Sequence, residues 1–398
     1  MRQDSPIRAP RGAPAALFAA ILLLAGLSAG FLAGCGDEGD EKAAGEGPIL
    51  IGHYASMTGS EATFGVSTDN GIQLAVKERN AAGGVRGRPI QLITYDDQGK
   101  SSEVATVVTR LITRDKVVAV LGEVASSRSI AGGQVCQRER VPMVTPSSTN
   151  ASVTEIGDMI FRVCFIDPFQ GEVCAKFAKE RGWTKAATLY DRTQAYSTGL
   201  AENFEAAFTA LGGKVVTKQA YSGGDSDFGA QLTAIRGGAP DVIFVPGYYT
   251  DVGNIALQVR NLGLKMPLLG GDGWDSTQLG AAAGSAIDGS FFSNHYSHEE
   301  KRPAVQKFVE TYQKEFGAVP DGLAALGYDA ALILFHAMEK APSLSGKDLA
   351  AALAAVKEFS AVTGTISIDA NRNAQKSAVI LELKGGQPTY VTTIEPTR

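Results

Sequence analysis

The stretch VVAVLGEVASSRSIAG, Val117 to Gly132, carries an apolar run into Gly122 and then into a patch of hydroxyls, Ser126, Ser127 and Ser129, before a helical pattern begins. A junction of that kind presents helix N-terminal N–H groups without intrahelical acceptors, with hydroxyls beside them, to something that is not protein. Similar residues stand at the ends of other apolar runs: HYASMTGS (53–60), YDDQGKSS (95–102), TPSSTN (145–150), YDRTQAYSTG (190–199), PGYYTD (246–251) and GGDGWDS (270–276). They are hydroxyl, aromatic, glycine and carboxylate residues, a set suited to holding a small polar molecule. Glycine lets backbone approach a ligand. One acid, Asp272, stands between two glycines with no packing role of its own.

Catalytic patterns fail in detail. GKS at 99–101 lacks the P-loop glycine, because position 94 is Thr, and GGDGWDS has Ser276 where a dinucleotide fingerprint needs its third glycine. No G-x-S-x-G elbow occurs. A hydrolytic triad needs a histidine near Ser126 or Ser127, and none of the four histidines can be placed there. His295 and His298 have H-x-x-H spacing but no further ligand motif, so they read as solvated loop residues and no metal site is expected. No cofactor is expected either.

The segments that position these residues alternate in period. ILIGHYA (49–55) and RPIQLITYDD (88–97) read as strands. Helical patterns lie between and after them, at 67–84 and through Val104, Val107, Val108, Leu111 and Ile112. After FRVCFIDPFQG the rhythm restarts with KAATLYD (185–191), and short strands close the chain. Repeated βα units imply parallel sheets covered by helices, with ligands outside the carboxyl ends of the strands. Two such series suggest two doubly wound α/β lobes. The helical region 302–359 follows the second series and is a candidate to return to the first lobe.

The chain has 398 residues, a net charge of −5 and 44% hydrophobic residues, which suits a globular protein of two domains and argues against a nucleic-acid binder. Arg2, Arg8 and Arg11 precede the apolar segment AALFAAILLLAGLSAGFLAG, and then comes Cys35. This is a secretory leader. LAGC, Leu32 to Cys35, resembles the bacterial lipoprotein box, which implies a diacylglyceryl Cys35 as the mature start and a membrane partner through that lipid. The expected organisation is a leader at 1–34, a polar tether at 35–47, lobe one at 48–164 plus about 296–364, and lobe two at 165–295 plus about 365–398. Cys164 and Cys174 flank a short segment that a disulfide could close, while Cys136 reads as a small buried hydrophobe.

From Ile49 to about Thr393 the chain resembles the branched-chain amino-acid-binding proteins of bacterial ABC transporters, type I periplasmic binding proteins. The likeness rests on the order and spacing of MTGSEATFG, GIQLAVKERNAAGGVRGRPIQLITYDD, LGEVASS, VPMVTPSST, FRVCFIDPFQG, LYDRTQAYSTGLA and GYYTDVGNIALQVRNLGLKMPLLGGDGWDS. It implies two lobes with parallel central sheets joined by three crossovers, a ligand clamped between them, permease subunits as partners, a periplasmic location and no enzymatic activity. It also implies that Ser126 and Thr149 bind a ligand α-carboxylate, beside Ser127 and with backbone help at Ser147. Asp272 takes the α-ammonium, where relatives usually carry Glu. Tyr196 and Tyr248 are cleft aromatics, and Phe64, where Tyr is common, forms an apolar wall with Trp274. The expected ligand is a small zwitterionic amino acid with an aliphatic side chain. The same fold also serves amides, urea and aromatic acids. Rivals of another class are an exported serine hydrolase using Ser126 or Ser127, and a sensor ectodomain, which is expected to carry a transmembrane helix and cytoplasmic domain after Arg398.

Overall fold

The computed structural model describes residues 47–396. The leader, Cys35 and nearly all of the tether lie outside them.

Lobe one opens with β1 (Ile49–Ala55), α1 (Ala62–Ala81), β2 (Ile90–Asp96), α2 (Ser101–Thr113), β3 (Ala119–Leu121), α3 (Ser126–Glu139), β4 (Met143–Thr145), α4 (Ser152–Glu155) and β5 (Ile160–Arg162). The strands form a parallel sheet in the order β2-β1-β3-β4-β5. β3 and β4 are buried on both faces, and β3 (Ala-Val-Leu) reads as an unbroken apolar run, as suits parallel strands covered by helices. The first helix starts at Ala62, five residues before the position its periodicity suggests. Gly65 makes this possible, because a Cβ there would collide with the Ser56 carbonyl at the end of β1. Phe64 is thereby carried on the first helical turn.

The chain crosses at residues 163–166 into lobe two. There follow α5 (Asp167–Glu180), β6 (Lys185–Asp191), α6 (Ala195–Ala210), β7 (Lys214–Tyr221), α7 (Gly229–Gly238), β8 (Val242–Phe244), α8 (Tyr249–Asn261), β9 (Leu268–Gly270), α9 (Thr277–Ala283) and β10 (Phe291–Asn294). The order β7-β6-β8-β9-β10 repeats that of lobe one. Each sheet therefore reverses direction of growth at its first strand, and each offers a crevice beside the carboxyl end of that strand.

After β10 the chain returns to lobe one as α10 (Pro303–Phe316), α11 (Gly322–Lys340) and α12 (Gly346–Ala354), then β11 (Phe359–Ala361), β12 (Gly364–Ile368) and β13 (Ala374–Gln375). Helices α1 and α11 cross at backbone contact. A Cβ at Gly71 would strike the Ala324 carbonyl, and one at Gly327 would strike the Thr68 carbonyl. Ile366, Ile368 and Ala374 lie in the lobe-one core. The third crossing thus falls at 376–377, about ten residues later than the expected 365, since a short strand reads alike whichever lobe it joins. β14 (Ala378–Lys384) and β15 (Gln387–Ile394) then extend the lobe-two sheet as antiparallel strands next to β10.

Cys136, Cys164 and Cys174 are all buried free thiols. The loop disulfide considered for Cys164 and Cys174 does not form, because Cys164 packs in the lobe-one core and Cys174 in that of lobe two. No helix among the described residues is long and apolar enough to cross a membrane.

Candidate functional site

The two rows of strand ends face each other and enclose a small, nearly closed cavity, walled by Phe64, Val124, Ser147 and Leu323 from lobe one and by Tyr196, Tyr248, Asp272 and Gly273 from lobe two. Phe64 rides on the first turn of α1, Val124 follows β3, Ser147 follows β4, and Leu323 comes from the first turn of α11. Tyr248 precedes α8, Tyr196 opens α6, and Asp272 follows β9. The aromatic wall is continuous. The Tyr196 and Tyr248 rings stack with centroids 5.4 Å apart and an angle of 4°, and Phe64 meets Tyr248 edge-on at 5.5 Å.

On the lobe-one side the serine junction is braced from beneath. The Glu123 carboxylate accepts hydrogen bonds from the Ser56 amide (3.2 Å), the Ser56 hydroxyl (2.8 Å) and the Ala125 amide (2.5 Å), and it pairs with Arg128 at 3.1 Å. Arg128 reaches Glu61 at 2.7 Å and donates to the Gly99 carbonyl. The start of α3 is therefore a rigid platform whose positive dipole end faces the cleft.

Hydroxyls converge on that platform. Ser147 Oγ is buried with no hydrogen-bond partner in the protein, as is the Tyr248 hydroxyl. Thr149 Oγ1 lies against the Asp167 carboxyl without a bond of standard geometry. Burial raises that carboxyl to about 8. Ser126 Oγ accepts from the Asn150 amide at 3.2 Å, which leaves its own hydrogen free for an acceptor. Ser127 points elsewhere: its Oγ accepts from the Ala195 amide of lobe two at 2.9 Å.

Asp272 holds the opposite side. Its Oδ1 accepts from Gln170 Nε2 at 2.9 Å, and its Oδ2 lies 3.0 Å from His295 Nε2. Tyr196 OH accepts from the Gly273 amide at 3.1 Å. His295 is not a solvated loop residue: it is 2% exposed, with its ring stacked on Phe165 at 3.6 Å. Burial lowers its pKa to about 4 against the opposing pull of Asp272.

Trp274 is not in the cavity wall. It is buried in lobe two, where its Nε1–H donates to the Val245 carbonyl at 2.9 Å and its ring packs near Phe292. Sequence reasoning missed Leu323, Gln170, Asn150 and the part played by His295. Gln170 and Asn150 stand within stretches already noted for their chemistry, whereas Leu323 has no local signal. Among the described residues no cluster of His, Cys, Asp or Glu could hold a metal ion.

The site takes the form of a two-sided clamp, with hydroxyl and amide donors on one lobe, a carboxylate on the other and apolar side chains between. Residues 48–387 match the family model described as periplasmic binding protein. The chain belongs to that family. Its members are solute receptors, a non-enzymatic kind of protein, and the family implies an exported, periplasmic location. Among solved structures, this binding protein is similar to a leucine binding protein, LivK, of Thermotoga maritima, with 38% identity and a TM-score of 0.84 over 87% of this chain and 99% of that one. It is also similar to LivJ, the branched-chain amino acid transporter substrate binding protein of Streptococcus pneumoniae, solved in complex with isoleucine. There the identity is 31% and the TM-score 0.83, over 88% of this chain and 100% of that one. The Leu/Ile/Val-binding protein BraC3 of Rhizobium johnstonii is 30% identical over 80% of this chain and 87% of its own.

Proposed function

We propose that the protein is a lipid-anchored substrate-binding protein of an ABC importer, and that it holds a small zwitterionic amino acid with an aliphatic side chain between its lobes. The observation that carries this reading is the polarity of the cavity. The unpaired Ser147 Oγ lines it from lobe one, with Val124 two residues before the start of α3, Asp272 stands opposite, and Phe64, Val124 and Leu323 line the space with carbon. A carboxylate is stabilised by the hydroxyls and the helix end. An ammonium is stabilised by Asp272, and the aliphatic part is removed from water. Because the two charged ends of one ligand bind different lobes, the ligand favours the arrangement in which the lobes meet. The names of the similar proteins agree with this ligand class.

A carboxylic acid without an amine leaves Asp272 without a cation, so simple aromatic acids are disfavoured. The receptor binds without turnover and delivers its ligand to permease subunits, anchored through Cys35. A thermal-shift screen against all amino acids, amides and aromatic acids tests the ligand class, since a ligand that binds only the folded state raises Tm. Leucine, isoleucine or valine should give the largest shifts; a larger shift with an amide or an aromatic acid overturns the assignment. For the anchor, Cys35→Ser should release the protein from the membrane fraction, and a mature start downstream of Cys35 without lipid would refute it.

A further inference from the structure

We propose that His295 and Gln170 are positioning residues for Asp272, and that the His295 imidazole must be neutral for Asp272 to hold a ligand ammonium. This rests on the reading of Asp272 as the ammonium acceptor.

An ionised carboxylate has two oxygens and about four lone-pair sites. Gln170 occupies one on Oδ1 and His295 one on Oδ2, at 2.9 and 3.0 Å. The sites left over are those toward the cavity that Asp272 lines. Both donors are held in turn. Gln170 Nε2 also donates to Ser293 Oγ at 3.0 Å, which fixes the amide orientation. The His295 ring is pinned by Phe165. Facing a carboxylate, Nε2 must carry the hydrogen, so Nδ1 is the bare nitrogen, and it is buried without a partner. A neutral imidazole of this tautomer orients Asp272 and leaves its full negative charge for the ligand. An imidazolium would neutralise that charge itself and repel an ammonium beside it.

The surroundings favour the neutral form. Lys376, buried at the third crossing, opposes a second positive charge near His295. The Asp167 carboxyl interacts with the charges of both Asp272 and Arg162. The neighbouring thiols of Cys164 and Cys174 are pushed up to about 12 by burial and stay neutral. Among the described residues Asp272 is the acid hydrogen-bonded to His295.

Calorimetry with isoleucine on the full-length protein between pH 3.5 and 8, a range that crosses the lowered imidazole titration near 4, tests the linkage. Below the pH at which the free protein's imidazole protonates, affinity should fall toward about tenfold per pH unit. His295→Gln keeps a donor and cannot titrate. It should bind within about threefold of the parent at pH 7.5 and hold that affinity into acid. A parent profile that is flat, or an acid loss shared by His295→Gln, overturns the proposal. A second readout needs no ligand: the His295 ring proton resonance, assigned by its absence in His295→Gln, reports tautomer and titration. Asp272→Asn should move that titration to lower pH, because the imidazolium loses its counter-charge. An unmoved titration, or an Nδ1–H tautomer, also overturns it. If the resonance behaves as expected but no aliphatic amino acid binds at any pH, the amino-acid reading fails and the positioning of Asp272 stands.

Discussion

Ser127 separates a ligand contact from a clasp between lobes. One residue of lobe two is held through both its backbone groups by lobe one: the Ala195 amide donates to Ser127 Oγ at 2.9 Å, and the Ala195 carbonyl accepts from Asn150 Nδ2 at 2.8 Å. Residue 195 begins α6, so the clasp holds the helix that carries Tyr196 into the cavity wall. A net hydrogen bond contributes about 1 kcal/mol. Losing one lowers the population of the binding-competent arrangement by about fivefold, and the apparent Kd rises by the same factor. Ser127→Ala should therefore weaken binding about fivefold, and Ser127→Ala with Asn150→Ala by up to about thirtyfold. The pair grip one residue, so the losses need not add.

Stopped-flow fluorescence with calorimetry gives the assay. Lobe one's half of the site is untouched, so the association rate should change little and dissociation should carry the loss. The ligand series adds a sharper discriminator. A clasp costs leucine and leucinamide the same factor, whereas a hydroxyl that bonds the carboxylate costs leucine more. Selective loss for leucine, or unchanged affinity in the double variant, would falsify the clasp.

Three further outcomes are expected. Asp272→Asn keeps shape and removes charge, so amino-acid affinity should drop about a hundredfold, with a smaller loss for the desamino acid; equal losses in calorimetry would remove Asp272 from the ammonium role. Ser126→Ala and Thr149→Ala each remove a donor to a charged group, roughly 1.5–3 kcal/mol, so each should weaken binding at least about tenfold with the fold intact, and unchanged affinity in the double variant refutes the carboxylate subsite. Burial raises Asp167 from an ordinary carboxylate value to about 8, so between those values the native state binds a proton that the unfolded state has lost, and stability declines as pH rises. Asp167→Asn should flatten Tm against pH across that window and raise neutral-pH stability by at least about 1 kcal/mol; parallel Tm curves for parent and variant contradict this.

Much of the site is legible in sequence because strand ends are. A run such as VVAVLG that stops at glycine and continues in serines marks where a buried strand surrenders its backbone to a helix start. That local chemistry survives any rearrangement of the remainder. Asp272 is legible for the same reason. Trp274, two residues on, is not. Asp272 to Trp274 form one turn with three residues per turn, which sends their side chains in different directions. One faces the cavity, and the other goes back to the sheet and the Val245 carbonyl. The pattern GDGW does not contain that turn.

Leu323 and His295 fail for a longer-range reason. Leu323 reaches the cavity because α11 crosses α1 at backbone contact through Gly71 and Gly327, residues 256 positions apart by number. Nothing within α11 itself, apolar on nearly every face, distinguishes its first turn. His295 sits in SNHYSHEE, which reads as a solvated loop, and His298 in the same stretch is partly exposed as expected. Burial of His295 is imposed from outside that stretch, by Phe165 from the first crossing and Asp272 from the end of β9. Two histidines three residues apart thus differ in burial because segments distant in sequence cover only one of them. For the same reason a substitution at Phe165, which does not line the cavity, should release the His295 ring from Asp272.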